Sequence, residues 1–491
     1  MKVNKPHKKS SRNPTVQASK FKFVFNDRLA VAVIIGLIFL GSLTPVFKAL
    51  ANVPSPIGVY FSEAGNVLYR LRYQNFMMSE TDCVGYFAYL RCAIIDHNLD
   101  FENDFRRFNL PDLANAKTSQ GLTGNLWSVG PAILWAPAFM VGHGLSLLLN
   151  TLGFSVPTDG ISFVYDFFIV FASMGYGLFG LLFIYRFLRF FFTPLISFMA
   201  FFILFYASAL IFYEFNEPTM SHILTVFAVS GFTYYWYKTW QIKNYKDWLF
   251  LGLWGGLVIL IRPQDIFFIL FPIAAEAFSL AWQNKKLAFS FFSGSLLLSL
   301  TMAICFIPQM LAWKILYGSF LTIPQGSGFM QWGKPQIFPL LFSTNHGLIT
   351  YTPIVFFSLL GLFLFNRENK RTRFLFWSFI AIFLAELYIN SVVSDWNAGW
   401  SFGARRFLSC SIIFAWGLGN LLQTIFKYKK IFFISLGVFG LLIIFNLLFY
   451  VQWYYGLIPR ADTLTWQLYF YGKIDAFRVW LKVMRYLIPI I

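Results

Sequence analysis

Residues Glu80–Phe105 read ETDCVGYFAYLRCAIIDHNLDFENDF, and after a polar gap Asn125–Pro137 continue NLWSVGPAILWAP. Asp82, Asp96, Asp100, Glu102 and Asp104 fall within 23 positions, five of the 21 acidic residues in a chain of 491. Membrane spans do not carry such clusters, because each ionised carboxylate in hydrocarbon costs several kcal/mol. The stretch belongs in water, and the sequence on either side has to be read around it.

That surrounding sequence is of another kind. Hydrophobic residues make up 58% of the chain and charged residues 12%, against about 25% charged in an ordinary soluble domain. Leu29–Phe47 carries no charge and is long enough to cross a bilayer as a helix. Barrel-type alternation is missing, so the expected fold is an all-α polytopic membrane protein. The formal net charge of +18 is unevenly spread, with eight Lys/Arg in the first 28 residues. Most others lie in short loops between apolar runs. This is the pattern of cytoplasmic loops facing anionic lipid, and it calls for no nucleic acid. The first apolar run is read as an uncleaved helix, since its leading tail is long and no convincing small-x-small cleavage pattern follows.

The positive-inside rule then gives about 11 (11–13) spans, with the N-terminus cytoplasmic. Residues 1–28 form a basic tail and 29–451 a membrane module. Within that module 51–159 is a large first external loop carrying amphipathic surface helices. Residues 452–491 form an external tail ending in a surface helix or a short extra span. In the loop, Val84, Phe87, Leu90, Arg91 and Ile94 repeat at the spacing of an interfacial helix. The prolines at 131 and 137 favour a surface-lying helix over 127–149. Cys83 and Cys92, nine residues apart on one helix, are about 13 Å apart and too distant for a disulfide.

Several residues break the bland pattern. Arg262 in LIRPQD and the pair Arg405–Arg406 in SFGARRF fall on the external side, against the charge bias. One reading is snorkelling, or pairing with Asp265 or Asp395. The other is that the guanidinium groups hold a phosphate or diphosphate, which their planar fork suits. Asp82 is the carboxylate best placed to act as a general base beside them. Spacing alone, however, favours a plain helix N-cap for Asp82, so both readings stay open. Glu80, Asp96, His222, His346 and Asp395 share the external depth and are candidates to line the site. Each histidine taken alone reads as a satisfied interfacial residue. The acidic run fits no defined calcium loop. A divalent cation is the one cofactor its carboxylates would take. Asp166, Glu276 and Glu386 fall inside predicted spans and are functional suspects on that ground, although Glu276 sits deep enough to read as a helix–helix contact.

Taken together, DCVGYFAYLRCAIIDHNLDFENDF, LWSVGPAILWAPAF, EPTMSH, LIRPQD, STNHGLITYTP and DWNAGWSFGARRF resemble the GT-C class of membrane glycosyltransferases. The closest group is the bacterial, glycosyltransferase family 39-like branch that includes protein O-mannosyltransferases and aminoarabinose transferases. These segments span Thr81 to Phe407. The resemblance implies a polyprenyl-phosphate sugar donor and transfer outside the cytoplasm, at the bacterial plasma (inner) membrane. The acceptor would be a glycolipid, a polysaccharide or a protein. It also implies that Asp82 is the catalytic acid, and that Arg262 and Arg405 contact the donor phosphate, with Arg406 competing for the second role. Many relatives carry two adjacent acids where this chain has Asp82 followed by Cys83. The extra soluble domain of the protein O-mannosyltransferases has no counterpart here. Two other readings fit an envelope membrane protein: an O-antigen polymerase or ligase, and a lipid or polysaccharide flippase. The first expects its large loop late in the chain. The second expects mid-membrane charges and a two-fold repeat.

Overall fold

Prolines in the first helical turn and capping side chains just before it mark several helix starts along this chain. Thr193 accepts from the Ile196 amide ahead of Pro194, and Asn369 accepts from the amides of Arg371 and Thr372. Asn244 and Asp247 form a reciprocal capping box. These side chains satisfy amides that the first helical turn leaves without partners.

The computed structural model describes residues 25–51, 81–281, 285–365 and 367–487. The protein is 72% helical and has no strands among the described residues. The main helices are α1 (Asp27–Ala51), α2 (Thr81–Arg91), α3 (Gly130–Thr151), α4 (Phe163–Leu188), α5 (Pro194–Tyr206), α6 (Ser221–Lys238) and α7 (Tyr245–Ile261). They continue with α8 (Phe267–Ala281), α9 (Lys285–Tyr317), α10 (Lys370–Ser391), α11 (Ser411–Ile425), α12 (Lys429–Tyr454) and α13 (Gly472–Leu487). Seven helical stretches among the described residues are long and apolar enough to cross a membrane. Large apolar side chains on their outer faces stand in the open, among them Phe278 (69% exposed), Phe289 (75%) and Ile434 (69%). A face of this kind fits lipid rather than water. The chain is an all-helical membrane protein.

Helix α6 serves as the ruler of the bundle. Its 18 residues run about 27 Å at 1.5 Å per residue. At its Lys238 end, Arg189 pairs with Asp27 at 2.6 Å, and the Arg371 guanidinium lies over the Tyr237 ring at 3.6 Å. There Glu276 accepts from Trp236 Nε1 at 2.9 Å, from the Gln241 amide at 2.6 Å and from Lys243 Nζ at 2.6 Å. Glu276 is therefore the helix–helix contact expected of it. A buried carboxylate with this many donors is held in place rather than kept ready for chemistry.

One expectation for the first loop changes. α2 was expected to lie half-exposed at an interface, but every residue from Cys83 to Arg91 is buried. The apolar spacing was real, yet neighbouring loops and α3 cover the opposite face as well. α3 runs unbroken through Pro137 and, by length and composition, could itself cross a bilayer. Glu80 lies outside the described residues. The closing helix α13 has 16 residues and is not one of the seven long apolar stretches. It exposes Ile474, Phe477 and Trp480, and the buried Lys473 sits over the Phe449 and Phe445 rings.

Candidate functional site

At the other end of α6 the chain repeatedly breaks helix, and each break presents a polar side chain. Pro263 cannot donate to the α7 ladder and excludes the helical conformation from the residue before it. Arg262 accordingly leaves the helix with φ −146° and ψ 103°. Gly403, with φ +65°, turns the chain just ahead of Arg405 and Arg406, a conformation glycine reaches without steric cost. Pro218 and an extended Met220 start α6, which puts Ser221 and His222 in its first turn.

These breaks converge. Asp82, in the first turn of α2, places Oδ2 3.0 Å from Arg405 Nη2 and accepts from Trp127 Nε1 at 3.1 Å through Oδ1. The two side chains of the ion pair are 26% and 11% exposed, so the pair is within reach of solvent from an otherwise buried surround. Both oxygens of Asp82 serve partners far along the chain, which removes the plain N-cap reading. Arg262, 5% exposed, has Nη1 3.2 Å from His222 Nδ1 and 3.3 Å from the Arg406 carbonyl oxygen. Arg406 itself turns to Asp395, with Nη2 2.8 Å from Oδ2 and Nη1 donating to the Asp395 carbonyl at 3.0 Å. The pairing of Arg406 with Asp395, one of the two readings offered by the sequence, is the one observed. The carboxylates of Asp265 and Glu386 are buried and interact electrostatically with Arg262.

His346 closes one side. Its Nδ1 is 2.9 Å from the Asn397 carbonyl, and its ring meets Tyr351 edge-on at 5.3 Å. Burial pushes the imidazole from its ordinary 6.5 down to about 4, the Asn397 hydrogen bond opposing that shift and the Arg405 charge adding to it. The folded-state pKa lies below the unfolded one, so protonation favours unfolding. Stability from neutral His346 is present above about pH 6.5 and is lost as pH falls towards 4, on the order of 3 kcal/mol. The variant His346→Asn keeps a residue that tolerates the observed φ of 60° and removes the titration. Its melting temperature should fall less steeply between pH 6.5 and 4 than that of the unaltered protein. Equal slopes would show that His346 does not carry this acid sensitivity.

Sequence reasoning missed several residues here. Tyr86, one turn after Asp82, donates to Ser221 Oγ at 2.9 Å and ties α2 to the start of α6. Glu217 is buried and interacts electrostatically with both Arg405 and Tyr213. It sits in the acidic turn EFNEP, whose charge in an apolar chain was the signal available. Trp127 lies in a run that looks merely apolar.

Asp96 does not belong to the site. It lies beyond the far end of α2, where its Oδ2 is 2.7 Å from Arg91 Nη1. The same guanidinium reaches Asp104 Oδ2 at 3.0 Å. Burial pushes Asp104 above the usual carboxylate range against the pull of Arg91. Ligand atoms of Cys92, Asp96 and Asp104 lie within 4.8 Å of one another, which bears on the divalent cation expected of this run. Arg91 already fills that space with positive charge, and burial pushes the Cys92 thiol up, away from the thiolate that binds metals. The donor set therefore suits an internal ion-pair network better than a cation. Asp100 and Glu102 meet Lys117 at the surface, Glu102 at 2.6 Å. Among the described residues no cysteine is in a disulfide.

Asp82, Arg262, Arg405, Arg406, His222, His346 and Asp395 thus gather at one end of the bundle, and Asp96 stands apart. The arrangement offers a carboxylate that can take a proton beside a guanidinium that can hold an anion. No family model and no curated protein matches the chain.

Proposed function

We propose that this protein is a GT-C-type glycosyltransferase that moves a sugar from a polyprenyl-phosphate donor to an envelope acceptor, with inversion. The observation that carries the reading is the Asp82–Arg405 pair, 3.0 Å apart and partly open to solvent amid buried residues. Asp82 takes the proton from an acceptor hydroxyl or amine as that atom attacks the anomeric carbon. The bond from the anomeric carbon to the phosphate oxygen breaks, and the polyprenyl phosphate departs with the electron pair. Arg405, with Arg262 behind it, meets the negative charge that develops on the leaving oxygen. Preorganised charge of this kind is commonly the largest catalytic contribution.

We place the site on the external face of a bacterial inner membrane, with about eleven spans and the N-terminus in the cytoplasm. The acceptor is a glycolipid, a polysaccharide or a protein. Comparing the masses of envelope glycolipids and glycans from cells with and without the protein tests the reading. One component should lose a single sugar. Identical profiles would overturn it.

A further inference from the structure

The stretch Asn125–Val129 does more than cross from the first loop into α3. The Asn125 amide donates to the Tyr317 hydroxyl at 3.0 Å, and that hydroxyl donates back to the Asn125 carbonyl at 2.9 Å. Asn125 Nδ2 donates to the Gly85 carbonyl at 2.8 Å, and its Oδ1 accepts from the Trp127 amide at 3.1 Å. Ser128 Oγ donates to the Ile261 carbonyl at 2.6 Å, and the Val129 amide donates to Gln309 Oε1 at 2.8 Å. Five residues are therefore fastened to α2, to the last residue of α7 and to two points on α9. Ile261 is followed directly by Arg262, so the same five residues set the spacing between Asp82 and the end of the helix that carries Arg262.

Trp127 stands at the middle of this clamp. Its ring lies flat on the α2 backbone at Gly85, where a Cβ would come within 1.9 Å of the indole. Tyr86 and Phe105 meet the ring edge-on, each at 6.5 Å. With its backbone and both sides of the ring fixed, the indole N–H has one direction, and it ends on Asp82 Oδ1. The other oxygen of Asp82 rests on Arg405. That second contact is the one an incoming phosphate takes over, since a guanidinium drawn to a phosphate has less to give a carboxylate.

We propose that Trp127 is the positioning residue for Asp82: its N–H keeps the carboxylate aimed at the acceptor once the donor phosphate has engaged Arg405. This rests on the transferase reading above. A side chain held from one direction by a rigid donor keeps its geometry when its other partner changes, and misplacing a reacting group by about 1 Å can cost 100-fold.

Trp127→Phe keeps an aromatic ring on Gly85 and removes only the N–H. With a polyprenyl-phosphate sugar as donor, kcat should fall about 10- to 100-fold, while KM for the donor and binding of polyprenyl phosphate stay unchanged. Gly85→Ala is the harsher change, because its Cβ would fall 1.9 Å from the indole and must displace either the ring or α2 itself. If Trp127→Phe fails to fold, the indole N–H of the unaltered protein serves instead: its exchange with solvent should stay slow when polyprenyl phosphate is added, and fast exchange overturns the proposal. An unchanged kcat in the folded variant overturns the proposal. A raised KM with kcat retained also overturns it, because the ring would then be touching the donor. Asp82→Asn measured alongside separates the two levels of argument. If that variant still transfers sugar, the transferase reading has failed. If it is inactive while Trp127→Phe is fully active, the positioning role alone has failed.

Discussion

Replacing Asp82 with asparagine should leave a folded protein that, on the transferase reading proposed above, holds its donor lipid and transfers almost no sugar. The two side chains are nearly the same size, and a carboxamide oxygen still accepts from Trp127 Nε1, which contacts Oδ1 in the unaltered protein. What disappears is the capacity to take a proton. A positioned general base contributes about 10²- to 10⁴-fold, so kcat should fall by roughly 10³. Donor binding moves the other way or stays level. In the unaltered protein Asp82 is the carboxylate in contact with Arg405, and a phosphate entering the site competes with it for the guanidinium. Asparagine does not compete as an anion. Polyprenyl phosphate should therefore bind the variant at least as tightly as the unaltered protein, measured by a titration in detergent. A flippase or a simple lipid carrier would tolerate the change in transport. Sugar transfer at an undiminished rate in Asp82→Asn would remove the base assignment and the mechanism with it.

The membrane class and the helical fold were legible in the sequence, since they depend on composition and local pattern. The site was legible as a set of anomalies: an acid and several arginines that an apolar chain has no structural reason to place at one depth. Asp82 and Arg405 are 323 positions apart, and nothing local announces that their charges meet. The same limit hid Trp127, because an indole in an apolar run looks like packing until its N–H is found on a carboxylate. It also kept Asp96 among the candidates. Five acids in one run look alike in sequence, and the difference between them lies in Arg91, which turns back from the end of α2 to bind Asp96 and Asp104. α2 was misjudged for a related reason. A helical apolar repeat shows that one face is buried, but it does not show whether other parts of the chain fold over the opposite face.

The three arginines differ in what they can release, and the largest loss on removing one should come at Arg405. Arg406, 14% exposed, is committed to Asp395, whose side chain is 52% exposed, so its carboxylate partner is a half-solvated group away from Asp82. What Arg406 gives to Arg262 is its backbone carbonyl, which survives any side-chain change. Arg262 is buried against His222 and that carbonyl, so it can lend its field to the site but is poorly placed to follow a ligand. Arg405 is paired with Asp82, the proposed base, and on that reading it is the guanidinium whose partner changes when an anion arrives. Arg405→Ala should raise the donor KM and lower kcat together, because the same contact binds the phosphate and meets the charge that develops as it leaves. Losing one such donor typically costs about 10²- to 10³-fold, and here kcat/KM should drop by roughly 10³. Arg405→Lys should recover part of the binding and little of the rate, since an ammonium cannot offer two parallel N–H groups to a phosphate. Arg406→Ala should stay within about tenfold of the unaltered protein, since the carboxylate it leaves behind is half-exposed and can be solvated. Steady-state kinetics on the three variants with one polyprenyl-phosphate sugar decides the assignment. If Arg406→Ala proves as damaging as Arg405→Ala, the phosphate is held by the pair rather than by the arginine that faces Asp82. If Arg405→Ala turns over normally, the anion binds elsewhere and the Asp82–Arg405 contact is only structural.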